Sequence, residues 1–334
     1  MLDLSLACAD MDLTAPLKNG TVSPKGIDLT TLNYTSAMRH WRCLRHQEFD
    51  VCELSMSSYL LSRTEPEKYP YTAIPVFPHR LFRHGYMFRH ADAAVDDPAD
   101  LAGGTIGLRN WQTTSGVWMR GIAREHYGLD LADVTWYVDD TEDVSIDIPD
   151  RFEIRHTPEG RNIEDLLVAG DVDGAMYPVL LDSVTDPDGG VDRIFPNYAD
   201  EEADYFLETG IFPIMHTVAV RNELLERHPW VAVNLYEAFI EARDYALERA
   251  EDPRSSTLVW ARHHLEEQRS TVGSNLWEYG PTEANVAAVD KLQEYAEYQG
   301  IVPRAYDLDE LFFEPTLDEE QLTKGYPSGT HQER

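Results

Sequence analysis

The chain has 334 residues, with 60 Asp and Glu against 28 Lys and Arg and a formal charge of −32. That balance leaves no basic face for nucleic acid or an anionic membrane. Its length exceeds what one core usually organises, so two domains are expected. A hydrophobic content of 43%, with seven Trp and seventeen Tyr, argues against disorder.

The acidity has its own pattern: five Lys stand against twenty-three Arg, and the carboxylates spread along the chain. This suits a soluble protein of a high-salt interior, where screening removes much of the self-repulsion. An acidic surface built for a cationic partner should instead show blocks of charge. Cys8, Cys43 and Cys52 are odd in number and lack metal-site spacing, so three reduced thiols are expected.

In chain order, "MLDLSLACADMDL" has no basic n-region, which argues against a secretory signal and, with Met1 as the start, for a cytoplasmic protein. No stretch approaches the roughly 20 uninterrupted apolar residues that span a bilayer. Residues 2–8 and 27–34 read as strands, 36–49 as a helix, and 50–55 and 71–78 as further strands. The segment 75–90, "PVFPHRLFRHGYMFRH", then gathers Arg80, Arg83, Arg89, His79, His84 and His90 without one carboxylate. From about 95 the pattern restarts: a strand at 104–110, a helix at 113–128 stopped by Gly128, strands at 134–138 and 173–179, and a helix at 162–170 between them. An exposed turn at 186–190 precedes a strand-to-helix passage over 193–210. Beyond 222 the chain turns helical, with two helices broken near Pro229 and a third at 282–300, and the end "KGYPSGTHQER" reads as a disordered tail.

This β–α–β order predicts an α/β fold with mostly parallel sheets. Two such units, followed by helices that return to the first, predict a discontinuous domain, with segments near 84–90 and 212–220 as paired linkers. A cleft between such lobes is a favoured place for a small ligand.

Three segments, "FPHRLFRHGYMF", "NWQTTSGVWMRGIAREHYG" and "TGIFPIMHTVAVRNELLERHPWVAVNLYEAF", lie in order over residues 77–239. Together they resemble the 4,5-dihydroxyphthalate decarboxylase family, which is itself similar to ABC-transporter substrate-binding proteins with the type 2 periplasmic-binding-protein fold. The resemblance implies lobe one over 1–88 and 217–334, lobe two over 89–216, and a ligand between them.

With that fold as a guide, the chemistry of the side chains nominates the site. Arg80 and Arg83 carry the planar fork that holds carboxylates bidentately, against the plainer role of surface ion pairs. His84 and His216 titrate near neutrality and are the expected proton-transfer pair, against the alternative of hinge histidines bonded to backbone. His79 is the lesser candidate, because it can equally point away. The helix start at 110–116 offers backbone N–H groups and the hydroxyls of Thr113 and Thr114 to an anion, with Trp111 to stack on a ring. Ser55 and Ser57 repeat that arrangement in lobe one, and Tyr177 closes a lobe-two strand as a hydroxyl donor. Simple capping and core packing compete with each of these readings.

The acidic run 139–147 matches no calcium loop, and no phosphate loop, dinucleotide fingerprint, nucleophile elbow or zinc spacing occurs. No cofactor and no metal are therefore expected. The partner expected is a small anionic ligand, an aromatic carboxylate. The expectation is a carboxy-lyase for a hydroxylated aromatic dicarboxylate. A transporter's binding protein for an anionic solute is the alternative, and another lyase of this fold, such as a chorismate dehydratase, the second alternative.

Overall fold

The computed structural model describes residues 1–318, so the tail expected at 324–334 lies outside the described residues. The chain divides into two compact units. The first combines Met1–His79, His216–Val286 and the segment from Tyr306; the second combines Arg80–Met215 with Ala287–Ala305.

In the first unit five strands form one sheet, in the order Ile27–Leu32, Leu2–Ala7, Val51–Ser55, His216–Arg221, Tyr71–Ile74. The first three run parallel, whereas His216–Arg221 runs antiparallel to both its neighbours. The mostly parallel expectation therefore gives way to a mixed sheet. A strand arriving from a distant part of the chain needs no crossover helix and is free to enter in either direction. Val51–Ser55 lies centrally, and all five of its residues are buried.

The helix Ser36–His46 packs on this strand. Thr35 caps it, its side chain accepting from the Met38 N–H, and Gln47 ends it in a left-handed conformation. Its buried residues are Arg39, His40, Cys43 and Leu44. That helical spacing puts them in one stripe, but half of the stripe is cationic or titratable. Pro229, which has no N–H to extend the helix Asn222–Arg227, separates it from Trp230–Ala250 as the sequence predicts.

The second unit carries six strands in the order Val191–Arg193, Met87–His90, Gly174–Met176, Thr105–Leu108, Thr135–Val138, Glu153–His156. The last four run parallel, and Met87–His90 pairs antiparallel with both its neighbours. Residues expected as linkers are thus sheet members: Met87–His90 here, and His216–Arg221 in the first unit. The helix Thr114–Tyr127 is buried from Thr114 to Ala123 and ends on Gly128 at φ 76°. Residues 287–305, which the sequence assigned to lobe one, belong to this unit because of two close contacts. A Cβ at Gly121 would stand 2.0 Å from the Tyr295 ring, so only glycine permits this approach. The Gln299 side chain accepts from Arg120 Nε at 2.8 Å and donates to the Val117 carbonyl at 3.0 Å.

Among the described residues, no helix is long and apolar enough to cross a membrane.

Candidate active site

A carboxylate in the middle of a fully buried strand needs compensation, and Glu53 has no exposed surface. Arg39, also fully buried, places Nη2 3.0 Å from Glu53 Oε1 and donates from Nε to the Glu53 carbonyl at 3.0 Å. The Ala9 N–H, just beyond the Leu2–Ala7 strand, donates to Oε2 at 2.6 Å. The third partner follows from sheet register. Ser55 pairs with His216 and Glu53 with Val218 across the antiparallel ladder. Glu53 and His216 are therefore diagonal neighbours on one face, within reach of long side chains. His216 Nδ1 lies 2.5 Å from Glu53 Oε1.

Burial alone would raise the Glu53 carboxyl, but Arg39, His216 and the Ala9 N–H outweigh it and hold the group at about 2. An ionised carboxylate only accepts, so His216 Nδ1 donates to it, which makes Nε2 the basic nitrogen of the neutral ring.

Two more imidazoles surround His216. The His79 ring lies edge-on with its centroid 4.6 Å away, and the His216 N–H donates to the His79 carbonyl at 3.2 Å. His40, one residue beyond Arg39, lies edge-on from another side at 5.0 Å. Glu53, His79 and His216 each present one ligand-type atom, all within 4.8 Å of one another. The first unit thus assembles a carboxylate, a guanidinium and three imidazoles on two strands, one helix and one post-strand segment. Such a group can orient a base, hold an anion, or ligate a cation.

Of the residues nominated from sequence, His216 stands at the centre of this cluster, and His79, the lesser candidate, stands beside it. Ser55 and Ser57 are buried in the same unit, their hydroxyls 3.5 Å apart. The rest lie in the second unit. Arg80 donates from Nη1 to the Phe212 carbonyl at 3.4 Å. Arg83 is buried and donates to the Pro178 carbonyl at 3.0 Å and towards the Met215 sulfur at 3.1 Å. Burial lowers its guanidinium to about 10. His84 packs among the rings of Tyr127, Phe195 and Tyr205, and burial, followed by the charge of His126, lowers it to about 4. At neutral pH it is an uncharged core imidazole, whose surroundings disfavour the proton a shuttle must carry.

The helix start at 110–116 also differs from expectation. The Trp111 and Gln112 N–H groups donate to the Glu142 carboxylate at 2.7 and 3.1 Å, and the Thr113 N–H donates to Asn110 Oδ1 at 3.0 Å. An internal carboxylate thus takes donors that the sequence offered to a ligand. The Thr113 hydroxyl also bonds Asn110, and Thr114 is buried. Trp111 is a core residue, not a stacking platform. It is fully buried, donates from Nε1 to the Gln299 carbonyl at 3.0 Å, and carries the Arg120 guanidinium 3.9 Å from its ring centre. Tyr177, half-buried, donates to Asp139 Oδ2 at 2.9 Å, and burial together with that carboxylate raises its hydroxyl pKa.

Glu53, Arg39 and His40 were not found from sequence. The usable signal was small: one acid inside the apolar run "VCEL", and an Arg-His pair on the inward stripe of a helix.

No family model matches the chain. A 4,5-dihydroxyphthalate decarboxylase of Comamonas testosteroni is 34% identical over 325 residues, 95% of this chain and 98% of that protein. A second, of Pseudomonas putida, is 33% identical over 183 residues, 53% of this chain and 70% of that protein. Among solved structures, the periplasmic aliphatic sulphonate binding protein of Escherichia coli shares the fold at a TM-score of 0.56 and 13% identity, over 95% of this chain and 99% of that one. A sulfonate-binding protein of Methylobacillus flagellatus gives 0.53 at 12% identity, over 97% and 94%. The fold is that of the periplasmic binding proteins, and the near-complete match to the Comamonas enzyme places the chain in the 4,5-dihydroxyphthalate decarboxylase family.

Proposed function

We propose that this chain is a carboxy-lyase that removes one carboxylate from 4,5-dihydroxyphthalate, or from a ring bearing the same vicinal hydroxyls and carboxylates. Family membership supports the reaction. The single structural observation that carries the proposal is the His216 Nδ1–Glu53 Oε1 contact at 2.5 Å, which ties the ring to a buried, ionised carboxylate.

The chemistry requires no electron-sink cofactor, because one ring hydroxyl lies para to the departing carboxylate. Drawing the proton from that hydroxyl raises electron density at the carbon bearing the carboxylate. An acid protonates that carbon, the bond to the carboxylate breaks, and its electron pair restores aromaticity as carbon dioxide leaves. The net change is one proton taken up and one carbon dioxide released. The Glu53–His216–His79 group is assigned to the hydroxyl, with Glu53 and Arg39 fixing the imidazole rather than exchanging protons themselves. Incubating the purified chain with 4,5-dihydroxyphthalate should release carbon dioxide and 3,4-dihydroxybenzoate in equal amounts. If neither product forms, the assignment is wrong.

The fold likeness to sulphonate-binding proteins favours a second reading, capture of an anionic solute without chemistry. It predicts that the dicarboxylate binds and is recovered unchanged.

A further inference from the structure

We infer that Glu53, His79 and His216 form a binding site for one divalent transition-metal ion, with open coordination positions that take a vicinal diol. Two imidazoles and one carboxylate are the ligand set of many three-ligand metal sites, in which water or substrate completes the shell. Here one carboxylate oxygen and one ring nitrogen from each histidine lie within 4.8 Å of one another. Ligands about 2.0–2.2 Å from a common ion stand roughly 3–3.5 Å apart, so small side-chain rotations bring the three onto one centre.

The surroundings are those of a supported ligand set. Arg39 holds Glu53 Oε1 and the Ala9 N–H holds Oε2, and His40 packs edge-on against the His216 ring. The three ligands come from a central strand, a segment after an edge strand and a returning strand, more than a hundred residues apart at the extreme. No spacing motif in the sequence marks such a set.

Charge selects the ligand of the ion. Arg39 cancels Glu53, and both histidines ligate as neutral rings, so a divalent ion leaves the centre with two positive charges. That excess suits a deprotonating catechol, whose adjacent oxygens chelate one ion. This choice of ligand rests on the decarboxylase reading; the metal site itself does not. A bound ion would displace the proton shared by Glu53 and His216 and would supply, by polarising the diol, the role that the metal-free group gives His216.

The test treats the full-length protein with EDTA, desalts it, and titrates Zn(II) and Mn(II) by calorimetry, with metal content measured after gel filtration. One equivalent of at least one ion per chain is expected. His79→Ala should weaken it by at least about a hundredfold with unchanged circular dichroism. His264→Ala, on the exposed helix Ala261–Val272, should bind like the parent, which separates the site from the acidic surface. Binding of neither ion, or binding that His79→Ala leaves unchanged, overturns the site. Stoichiometric metal without turnover keeps the site and removes the decarboxylase reading. Full turnover by chelator-treated protein shown to be metal-free keeps that reading and overturns the metal's place in it.

Discussion

Arg39→Met tests whether the buried ion pair is the foundation of the site. In the parent, Arg39 and Glu53 both have no exposed surface, and the guanidinium also serves the carbonyls of Glu53 at 3.0 Å and Tyr34 at 3.1 Å. Methionine fills similar volume but leaves the carboxylate with His216 and the Ala9 N–H alone. Removing one partner of a buried pair costs about 3–5 kcal/mol. The sign of the pH dependence also changes. The parent carboxyl is held at about 2, so its stabilisation is complete above the ordinary carboxylate range and is lost only as pH falls towards 2. In the variant burial dominates and raises the carboxyl, so stability is lost as pH rises. Urea unfolding in EDTA should therefore show a loss of about 3–5 kcal/mol at pH 7, smaller at pH 5 and larger at pH 8. Adding Glu53→Gln removes the stranded charge, and the double variant should be less destabilised than the sum of the singles by about 1–3 kcal/mol. A single-variant cost below about 1 kcal/mol, or strict additivity, would refute the account.

Three further outcomes are expected. His216→Gln should lower turnover of 4,5-dihydroxyphthalate by a factor of about 10²–10⁴ while shifting the melting temperature little, as steady-state product release would show. Glu202 accepts from the Gly85 N–H at 3.0 Å, and burial, only partly offset by that bond and Arg83, raises its carboxyl to about 7. Because its folded pKa is raised, stability drains as pH rises from the ordinary carboxylate range to about 7. Glu202→Gln should thus gain up to about 3 kcal/mol at pH 8 and almost nothing at pH 4, read by denaturant unfolding. Trp111→Phe loses the bond to the Gln299 carbonyl and should cost about 1–2 kcal/mol of stability with KM unchanged; a raised KM with unchanged stability would restore Trp111 as a ligand-stacking residue.

What the sequence revealed and what it hid follow from the range of the forces involved. Helices such as Thr114–Tyr127 announce themselves through local terms: an apolar stripe, a capping Thr and a terminal Gly. The break at Pro229 is equally local. The strand His216–Arg221 carries no local mark because its identity lies in its partners, 163 residues upstream at the Glu53–His216 bond. The cationic stretch at 75–90 drew attention because charge is conspicuous in sequence. Most of that charge turned out to be spent on carbonyls and rings within the second unit.

The cluster built on Glu53 was inconspicuous for the converse reason. A single acid in a strand has no periodicity, and its value appears only once register sets it diagonal to an imidazole and a helix lays Arg39 against it. Charge density along a sequence finds groups that face solvent or backbone, whereas an active site needs the rarer event of opposed charges buried together. Such a pair contributes little net stability compared with an apolar replacement, so its presence in the most buried strand of the unit points to what it holds in place. What it holds is His216, the one sequence-nominated residue whose ring is fixed by an ionised carboxylate and flanked by two further imidazoles.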